Sequence, residues 1–114
     1  MKSDRTHLEH ARECLEWIAR FTASGPKEFL EDRKTRSAVL RELQTLAESC
    51  RQLTSSLKIR HPEVFWQGIS GFRTVLARDH MGVGPERVWS VIESDLPVLR
   101  HAVETMLEET GGAP

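Results

Sequence analysis

The sequence predicts an all-α protein, an up-and-down bundle of four to five helices. Apolar residues recur at spacings of three and four along most of the chain, which is the period of one helical face. No stretch alternates apolar and polar residues as a half-buried strand does. Glycine and proline cluster at only a few points, so the predicted helices are joined by short connections.

Length and charge place the 114 residues in a single domain, 1–114, that can bury a modest core. Sixteen basic and seventeen acidic residues nearly cancel, so any binding of nucleic acid must come from a local patch. No apolar run approaches the length of about 18 residues that spans a membrane, and no secretion signal precedes the first helix. We therefore expect a cytoplasmic protein in which Cys14 and Cys50 are reduced and buried.

The first helix is predicted from Asp4 to Thr22, with Ser3 as its N-cap. Trp17 and Phe21 widen its apolar face. A short helix, 26–31, is expected to follow, beginning at a proline that suits a first turn. The seam of the first helix alternates spacings of three and four: Leu8, Ala11, Leu15, Ile18 and Thr22.

The clearest seam in the chain predicts one long helix from Lys34 to Arg60. His61 and Pro62 end it, because proline disfavours helical backbone at the residue before it. The seam repeats by four and three: Val39, Leu43, Leu46, Cys50, Leu53 and Leu57.

The third helix is predicted from Glu63 to His80. Gly68 and Gly71 are poor helix formers, and two of them in one helix indicate the close approach of another backbone. The expected core stripe of this helix consists of Phe65, Ile69, Phe72 and Leu76.

The last helix is predicted to begin at Pro85. The sequence 94–97 (Ser-Asp-Leu-Pro) either kinks this helix or caps a new one, since proline is tolerated in a first turn. Residues 110–114 are expected to be a frayed tail. Its apolar face contains Val88, Trp89, Ile92, Leu96, Leu99, Val103 and Met106.

Polar side chains capable of chemistry crowd onto the end of the third helix, where Arg73, Arg78 and His80 lie. Arg73 and His80 are seven positions apart and share a face, whereas Arg78 projects about 140° away on an ideal helix. Arginine matches phosphate and histidine transfers protons near neutral pH, which together suit the cleavage of RNA. The alternative is structural, with both side chains at the boundary of the core.

Two weaker patterns favour structural interpretations. His7, His10 and Cys14 share a sector of the first helix, but no fourth zinc ligand is apparent, so we expect no metal and no cofactor. Gly82-Val83-Gly84 could hold an anion before a helix, but it lacks a preceding strand and is interpreted as a turn. His61 is expected to end a helix and His101 to lie on the surface.

Nearly the whole chain resembles the HepT-like family of small helical ribonuclease toxins. The resemblance is carried in order by Arg5 to His10, Ala38 to Gln44, His61 to Trp66, Gly71 to Arg73, and Glu86 to Trp89 with Asp95-Leu96-Pro97. It implies a HepT-like helical bundle that cleaves RNA without a metal. It also implies a homodimer, for which the region of Trp66 and Phe65 suits an interface, and a minimal nucleotidyltransferase antitoxin as partner.

The family motif is arginine, usually asparagine, three residues, histidine, any residue, tyrosine. Laid on this chain it begins at Arg73, but Thr74 takes the asparagine position, Arg78 the histidine position and His80 the tyrosine position. Gly84 replaces an acidic residue common in the following loop. The family tyrosine receives adenylyl groups from the antitoxin, and this chain contains no tyrosine.

Two hypotheses arise from these departures. Either Arg73 binds phosphate and His80 transfers protons in a ribonuclease of full or weakened activity, or the chain is an inactive helical subunit that binds RNA or the nucleotidyltransferase without cleaving. Arg78 favours the second hypothesis, because arginine is never neutral at working pH and is a poor general base.

Overall fold

The computed structural model describes residues 3–69, 71 and 84–111. The described residues form helices and turns, with no strand among them, so the predicted all-α class is confirmed. None of these helices is long and apolar enough to cross a membrane.

The first two helices are close to their predicted bounds. Helix α1 spans Asp4–Phe21 and α2 spans Pro26–Glu31. The Ser3 hydroxyl accepts the backbone N–H of Thr6 at 3.3 Å and caps α1 as expected. Gly25 turns the chain between α1 and α2 with a φ of 94°, a conformation that a side chain would strain.

The single long helix predicted from Lys34 to Arg60 is wrong. Helix α3 spans Arg33–Arg51, the chain then turns, and a short helix α4 spans Ser55–Ile59. The interruption centres on Thr54, whose extended backbone has a ψ of 151°. Its N–H and its hydroxyl both donate to the Asp4 carboxylate of α1, at 2.9 and 2.7 Å. The Thr54 N–H thus donates to a side chain of α1 in place of the backbone carbonyl that a continuous helix would supply.

The next helix also begins later than Glu63. Residues 61–65 form turns, and the helical backbone begins at Trp66; we call the described part, residues 66–69, helix α5. The Val64 N–H donates to the His61 carbonyl at 3.3 Å and the Trp66 N–H to the Val64 carbonyl at 3.0 Å. These bonds close tight turns, so the helix cannot start before Trp66.

The C-terminal part of the chain is one helical run. Helix α6 spans Pro85–Ser90, a π-helical turn spans Val91–Asp95, and helix α7 spans Leu96–Gly111. The predicted kink therefore takes the form of a π-turn, in which the Leu96 N–H donates to the Val91 carbonyl five residues back. Helix α7 includes Thr110 and Gly111. Residues 112–114 lie outside the described part, so the frayed tail stays a prediction.

The core lies where α1 packs against α3 and α7. Phe29 of α2 is buried beneath this contact, and Cys14 and Cys50 are buried and free, as predicted. The seams predicted for these helices are confirmed by residues that are at most 4% exposed: Leu8, Ala11, Leu15, Ile18, Val39, Leu43, Leu46, Leu53, Leu57, Val88, Leu99, Val103 and Met106.

Phe65 was predicted in the core stripe of the third helix, and this is wrong. Its side chain is 75% exposed, while the neighbouring Trp66 and Ile69 pack against the core. The other predicted stripe residues, Phe72 and Leu76, lie outside the described residues. The apolar face of α5 therefore begins one residue later than predicted.

Candidate functional site

The predicted site residues Arg73, Arg78 and His80 lie outside the described residues. Their relative placement, and the face shared by Arg73 and His80, therefore stay predictions. The structure describes the chain on either side of this segment, up to residue 71 before it and from Gly84 after it. We refer to these parts as the upstream flank (residues 59–69) and the downstream flank (residues 84–90).

Trp66 fixes the upstream flank to the rest of the molecule. Its indole N–H donates to the carbonyls of Lys58 and His61, at 3.2 and 3.0 Å. Its ring packs against the hydrophobic core. The first residue of α5 is thus held by α4, by the turn after it and by the core, so the start of this helix has a defined position.

Gly68 explains how Phe65 is held on the surface. A Cβ added to Gly68 would lie 2.5 Å from Cδ2 of the Phe65 ring, so the ring rests directly on the glycine backbone. At Gly71 an added Cβ would meet no atom of the described residues within 4 Å. The prediction that another backbone approaches these glycines is therefore wrong at Gly68, where the neighbour is the side chain of Phe65. At Gly71 it stays a prediction.

His61 is buried in the upstream flank between two carboxylates. Its Nδ1 lies 3.1 Å from Oε2 of Glu63, and its Nε2 lies 3.1 Å from Oε1 of Glu109 in α7. The histidine side chain is 7% exposed, whereas the two glutamates are 46% and 43% exposed. The expectation that His61 only ends a helix is incomplete, because its ring also joins the flank to α7.

The pKa of His61 reflects two opposing effects. Burial lowers it, but the hydrogen bonds and negative charges of Glu109 and Glu63 outweigh burial, so the net pKa of His61 is raised. The pKa of Glu63 is lowered by a backbone N–H and by His61. Both changes favour the charged forms of the pair.

The downstream flank is fixed to the core by α6. Val88 is buried, and the Trp89 ring lies 5.4 Å from the Phe29 ring, measured between centroids. Arg87 and Glu86 of the same helix are exposed. Both flanks are therefore anchored through tryptophan residues. Trp89 was predicted on an apolar face, whereas Trp66 was predicted at a subunit interface.

The described residues form no group of three or more histidine, cysteine or acidic side chains able to hold a metal ion. In the pattern considered above, His10 is exposed while Cys14 is buried. Burial and the nearby Glu42 raise the pKa of the Cys14 thiol to about 12, so the thiol is protonated at neutral pH. A shallow cavity of about 390 Å³ beside α2 is lined by Ser24, Lys27, Glu28, Glu31 and Asp32. Its three carboxylates outnumber its one lysine, which does not suit phosphate.

The described part of the chain does not by itself assemble a catalytic site. His61 has carboxylate partners at both ring nitrogens, so neither nitrogen is available to take a proton from a substrate. Lys58, Arg60 and Arg87 supply positive charge near the two flanks along the chain. The role of His61 was missed because its partner Glu109 is 48 positions away, and only the Glu63 spacing gave a local signal.

The chain matches the family described as "Ribonuclease HepT-like" over residues 11–106. It is 30% identical over 106 residues to "Probable ribonuclease HepT" of Thermococcus cleftensis, covering 92% of this chain and 96% of that protein. A protein of Caldanaerobacter subterraneus subsp. tengcongensis, named as an RNase candidate, is 29% identical over 110 residues, with 96% and 98% covered.

A third relative, from Methanocaldococcus jannaschii and also named as an RNase candidate, is 26% identical over 105 residues, covering 92% of this chain and 84% of that protein. No solved structure matches the chain. The family match covers most of the chain, including both flanks and the segment between them. The chain therefore belongs to the HepT-like ribonuclease family.

Proposed function

We propose that the chain is a metal-independent endoribonuclease of the toxin type, in which Arg73 and His80 act on the scissile phosphate. The observation that carries this proposal is Arg73, which stands at the arginine position of the motif inside a family match that spans both flanks. Its relatives carry names of ribonucleases over nearly the same length of chain. We place its action on RNA in the cytoplasm.

In this mechanism the ribose 2′-hydroxyl of the substrate attacks the adjacent phosphorus. His80 takes the proton of the hydroxyl. The resulting His80 imidazolium returns a proton to the 5′-oxygen as the bond between phosphorus and that oxygen breaks. The Arg73 guanidinium stabilises the additional negative charge on the phosphoryl oxygens. Arg78 supplies a second positive charge for RNA, since it cannot act as a base.

The test is cleavage of single-stranded RNA by the purified chain in EDTA. We expect cleavage to persist, and His80→Ala to lower its rate by about 100-fold or more, the usual contribution of a proton-transfer group. His10→Ala is the matched control, because His10 is an exposed histidine on α1. Equal rates for His80→Ala and the wild type would refute this mechanism.

A second candidate function rests on Arg78 and on the absence of tyrosine. In this alternative the chain is an inactive subunit that binds RNA or a minimal nucleotidyltransferase without cleaving. The wild type then shows no cleavage above a mock purification. Arg78→His combined with His80→Tyr, which restores the histidine and the tyrosine of the family motif, gains cleavage. Robust wild-type cleavage that co-purifies with the chain contradicts this alternative.

We also propose a minimal nucleotidyltransferase antitoxin as partner of this chain. Transfer of adenylyl groups to a tyrosine cannot control this chain, because it has none. Binding must then inhibit by itself. Co-purification of the chain with a nucleotidyltransferase encoded beside it, with no gain in mass on the chain after incubation with ATP, is the expected result.

Finally, we propose that two copies of the chain form a homodimer through the upstream flank. Ile59 and Phe65 are 76% and 75% exposed there, and an apolar aromatic side chain favours a contact core. Trp66, predicted to share this surface, instead packs against the core. The interface residues are therefore Ile59 and Phe65.

Light scattering of the purified chain at micromolar concentration tests the dimer. We expect a dimeric mass for the wild type and a monomeric mass for Phe65→Asp. Val98→Asp is the matched control, because Val98 is an exposed apolar residue on α7, outside the flank. A monomeric wild type would contradict the dimer.

A further inference from the structure

We infer that His61 is a protonation-dependent clasp that holds the turn before α5 against the C-terminal helix α7, and so positions the start of α5. The clasp consists of His61, Glu63 and Glu109. It requires no RNA and no partner, and it stands apart from the proposed ribonuclease activity.

The geometry of the ring requires the proton. Each ring nitrogen lies 3.1 Å from a carboxylate oxygen. A neutral imidazole carries one N–H and can donate to one carboxylate, while its other nitrogen then directs a lone pair at the second. The imidazolium donates to both. The arrangement is therefore fully hydrogen-bonded only in the protonated form.

The two carboxylates come from different parts of the fold. Glu63 lies two residues after His61 in the same turn, whereas Glu109 belongs to the last turns of α7. Loss of the proton can thus release the bond that joins distant elements. The bond to Glu63 alone would leave the turn without its side-chain link to α7.

The backbone of His61 transmits this link to α5. Its N–H donates to the Lys58 carbonyl at 3.0 Å, which closes α4. Its carbonyl accepts from the Val64 N–H at 3.3 Å and from the Trp66 indole N–H at 3.0 Å. The position of the His61 ring is therefore coupled to Trp66, the first residue of α5.

Charged residues of α1, α4 and α7 surround the clasp. The His101 side chain of α7 acts by charge on Glu63 and lowers its pKa. Arg5 of α1 donates to the Leu107 carbonyl at 3.4 Å, two residues before Glu109, and fixes that end of α7. Lys58 of α4 contributes its carbonyl. The raised pKa of His61, in spite of its burial, agrees with two carboxylate partners.

An NMR titration of His61 in the full chain is the direct test. We expect its midpoint to lie above about 6.5, the ordinary value for histidine, and to fall in Glu109→Gln. Glu108→Gln is the matched control: it removes the same charge from the adjacent, exposed position of α7. A wild-type midpoint at or below the ordinary value overturns the clasp, and so do equal falls in the two variants.

Hydrogen exchange of the Trp66 indole N–H tests the link to α5. The protection factor of this N–H is first corrected for the intrinsic dependence of exchange on pH. It should then fall on the order of tenfold as the pH rises through the His61 midpoint, because one charge-assisted hydrogen bond is lost. In Glu109→Gln the protection should be low throughout. Protection that stays constant across the wild-type midpoint overturns the inference. Neither measurement involves RNA, so a chain that fails to cleave leaves both readouts intact.

Discussion

At the scale of single residues, two phenylalanines of this chain have opposite surroundings. Phe29 is 1% exposed and lies against Trp89, although it belongs to a helix of only six residues. Phe65 is 75% exposed and rests on Gly68. We therefore expect the contribution of each ring to the free energy of unfolding to depend on its burial. The short helix α2 contributes to the core mainly through the ring of Phe29.

Truncation of Phe29 and of Phe65 to alanine should have very different effects on the free energy of unfolding. We expect Phe29→Ala to lower the free energy of unfolding by about 3–5 kcal/mol, through lost apolar burial and the cavity left behind. Phe65→Ala should change it by no more than about 0.5 kcal/mol. Urea unfolding, at a protein concentration low enough to exclude association, measures both; similar losses would contradict the assigned burial.

Asp4 is the second residue whose effect can be predicted from its contacts. Its carboxylate accepts two hydrogen bonds from Thr54, so Asp4→Ala should cost about 1–2 kcal/mol of unfolding free energy. Asp4→Asn keeps one acceptor oxygen and should cost less. Glu9→Ala, which breaks an exposed ion pair with Arg5, is the comparison and should cost about 0.5 kcal/mol or less. A loss in Asp4→Ala no larger than that in Glu9→Ala would contradict this role.

Phe65 and Trp66 also show why the sequence could not assign every core residue. Both precede Ile69 by a helical spacing, four residues for Phe65 and three for Trp66, so periodicity accepts either as the start of the stripe. The structure selects Trp66, whose indole N–H finds two carbonyl acceptors. Phenylalanine has no such donor.

Contacts between residues far apart in the sequence were a second kind of feature that the sequence could not predict. Arg73, Arg78 and His80 were identified by motif and spacing, and their arrangement stays a prediction. His61 has two partners in the structure, but the sequence signals only Glu63, because the pairing with Glu109 depends on how α7 packs. Contacts between distant positions leave no local pattern in a single sequence.

At the scale of elements, the break between α3 and α4 marks where periodicity fails. Leu53 lies within the break and Leu57 after it; both are buried, and their spacing of four is the same as in an unbroken helix. The backbone leaves the helical path at Thr54, which donates hydrogen bonds to Asp4, 50 positions away. By contrast, α1, α2 and α6 begin as predicted, because capping serine and first-turn proline act locally.

The turn between α1 and α2 gives a prediction at this scale. Gly25 has a φ of 94° and a ψ of −177°, a region open almost only to glycine. We expect Gly25→Ala to cost about 1–3 kcal/mol of unfolding free energy, although no atom of the described part of the chain lies within 4 Å of the added Cβ.

Gly71→Ala is the matched control for this substitution. Among the described residues, no atom lies within 4 Å of an added Cβ there either, but the backbone is helical, so alanine should be neutral or stabilising by up to about 1 kcal/mol. Thermal unfolding of both variants makes the comparison. A destabilisation shared equally by the two would show that backbone conformation is not the cause.

At the scale of the whole molecule, the clasp predicts how stability varies with pH. The pKa of His61 is raised in the folded state, so its stabilisation is fully present below about pH 6.5 and is lost as the pH rises through the folded value. The pKa of Glu63 is lowered, so its contribution is present above about pH 4.3 and is lost as the pH falls through its folded value. The clasp is therefore strongest between these limits.

We accordingly expect His61→Gln to destabilise the chain more near pH 6 than near pH 9. Urea unfolding of the wild type and the variant at both pH values gives the difference. His10→Gln, at an exposed position of α1, should show no such dependence. A destabilisation by His61→Gln that is equal at the two pH values would mean that the ring contributes by packing and not by charge.

The π-helical turn at Val91–Asp95 sets a rotational phase between the two ends of the C-terminal helical run. It holds about one residue more than an α-helical turn for nearly the same rotation. In an unbroken α-helix of the same sequence, Val88 would turn by about 100° relative to α7, toward the position that the exposed Arg87 now holds. A single residue of chain length, accommodated in the π-turn, thus decides which side of α6 faces the core and which remains on the surface.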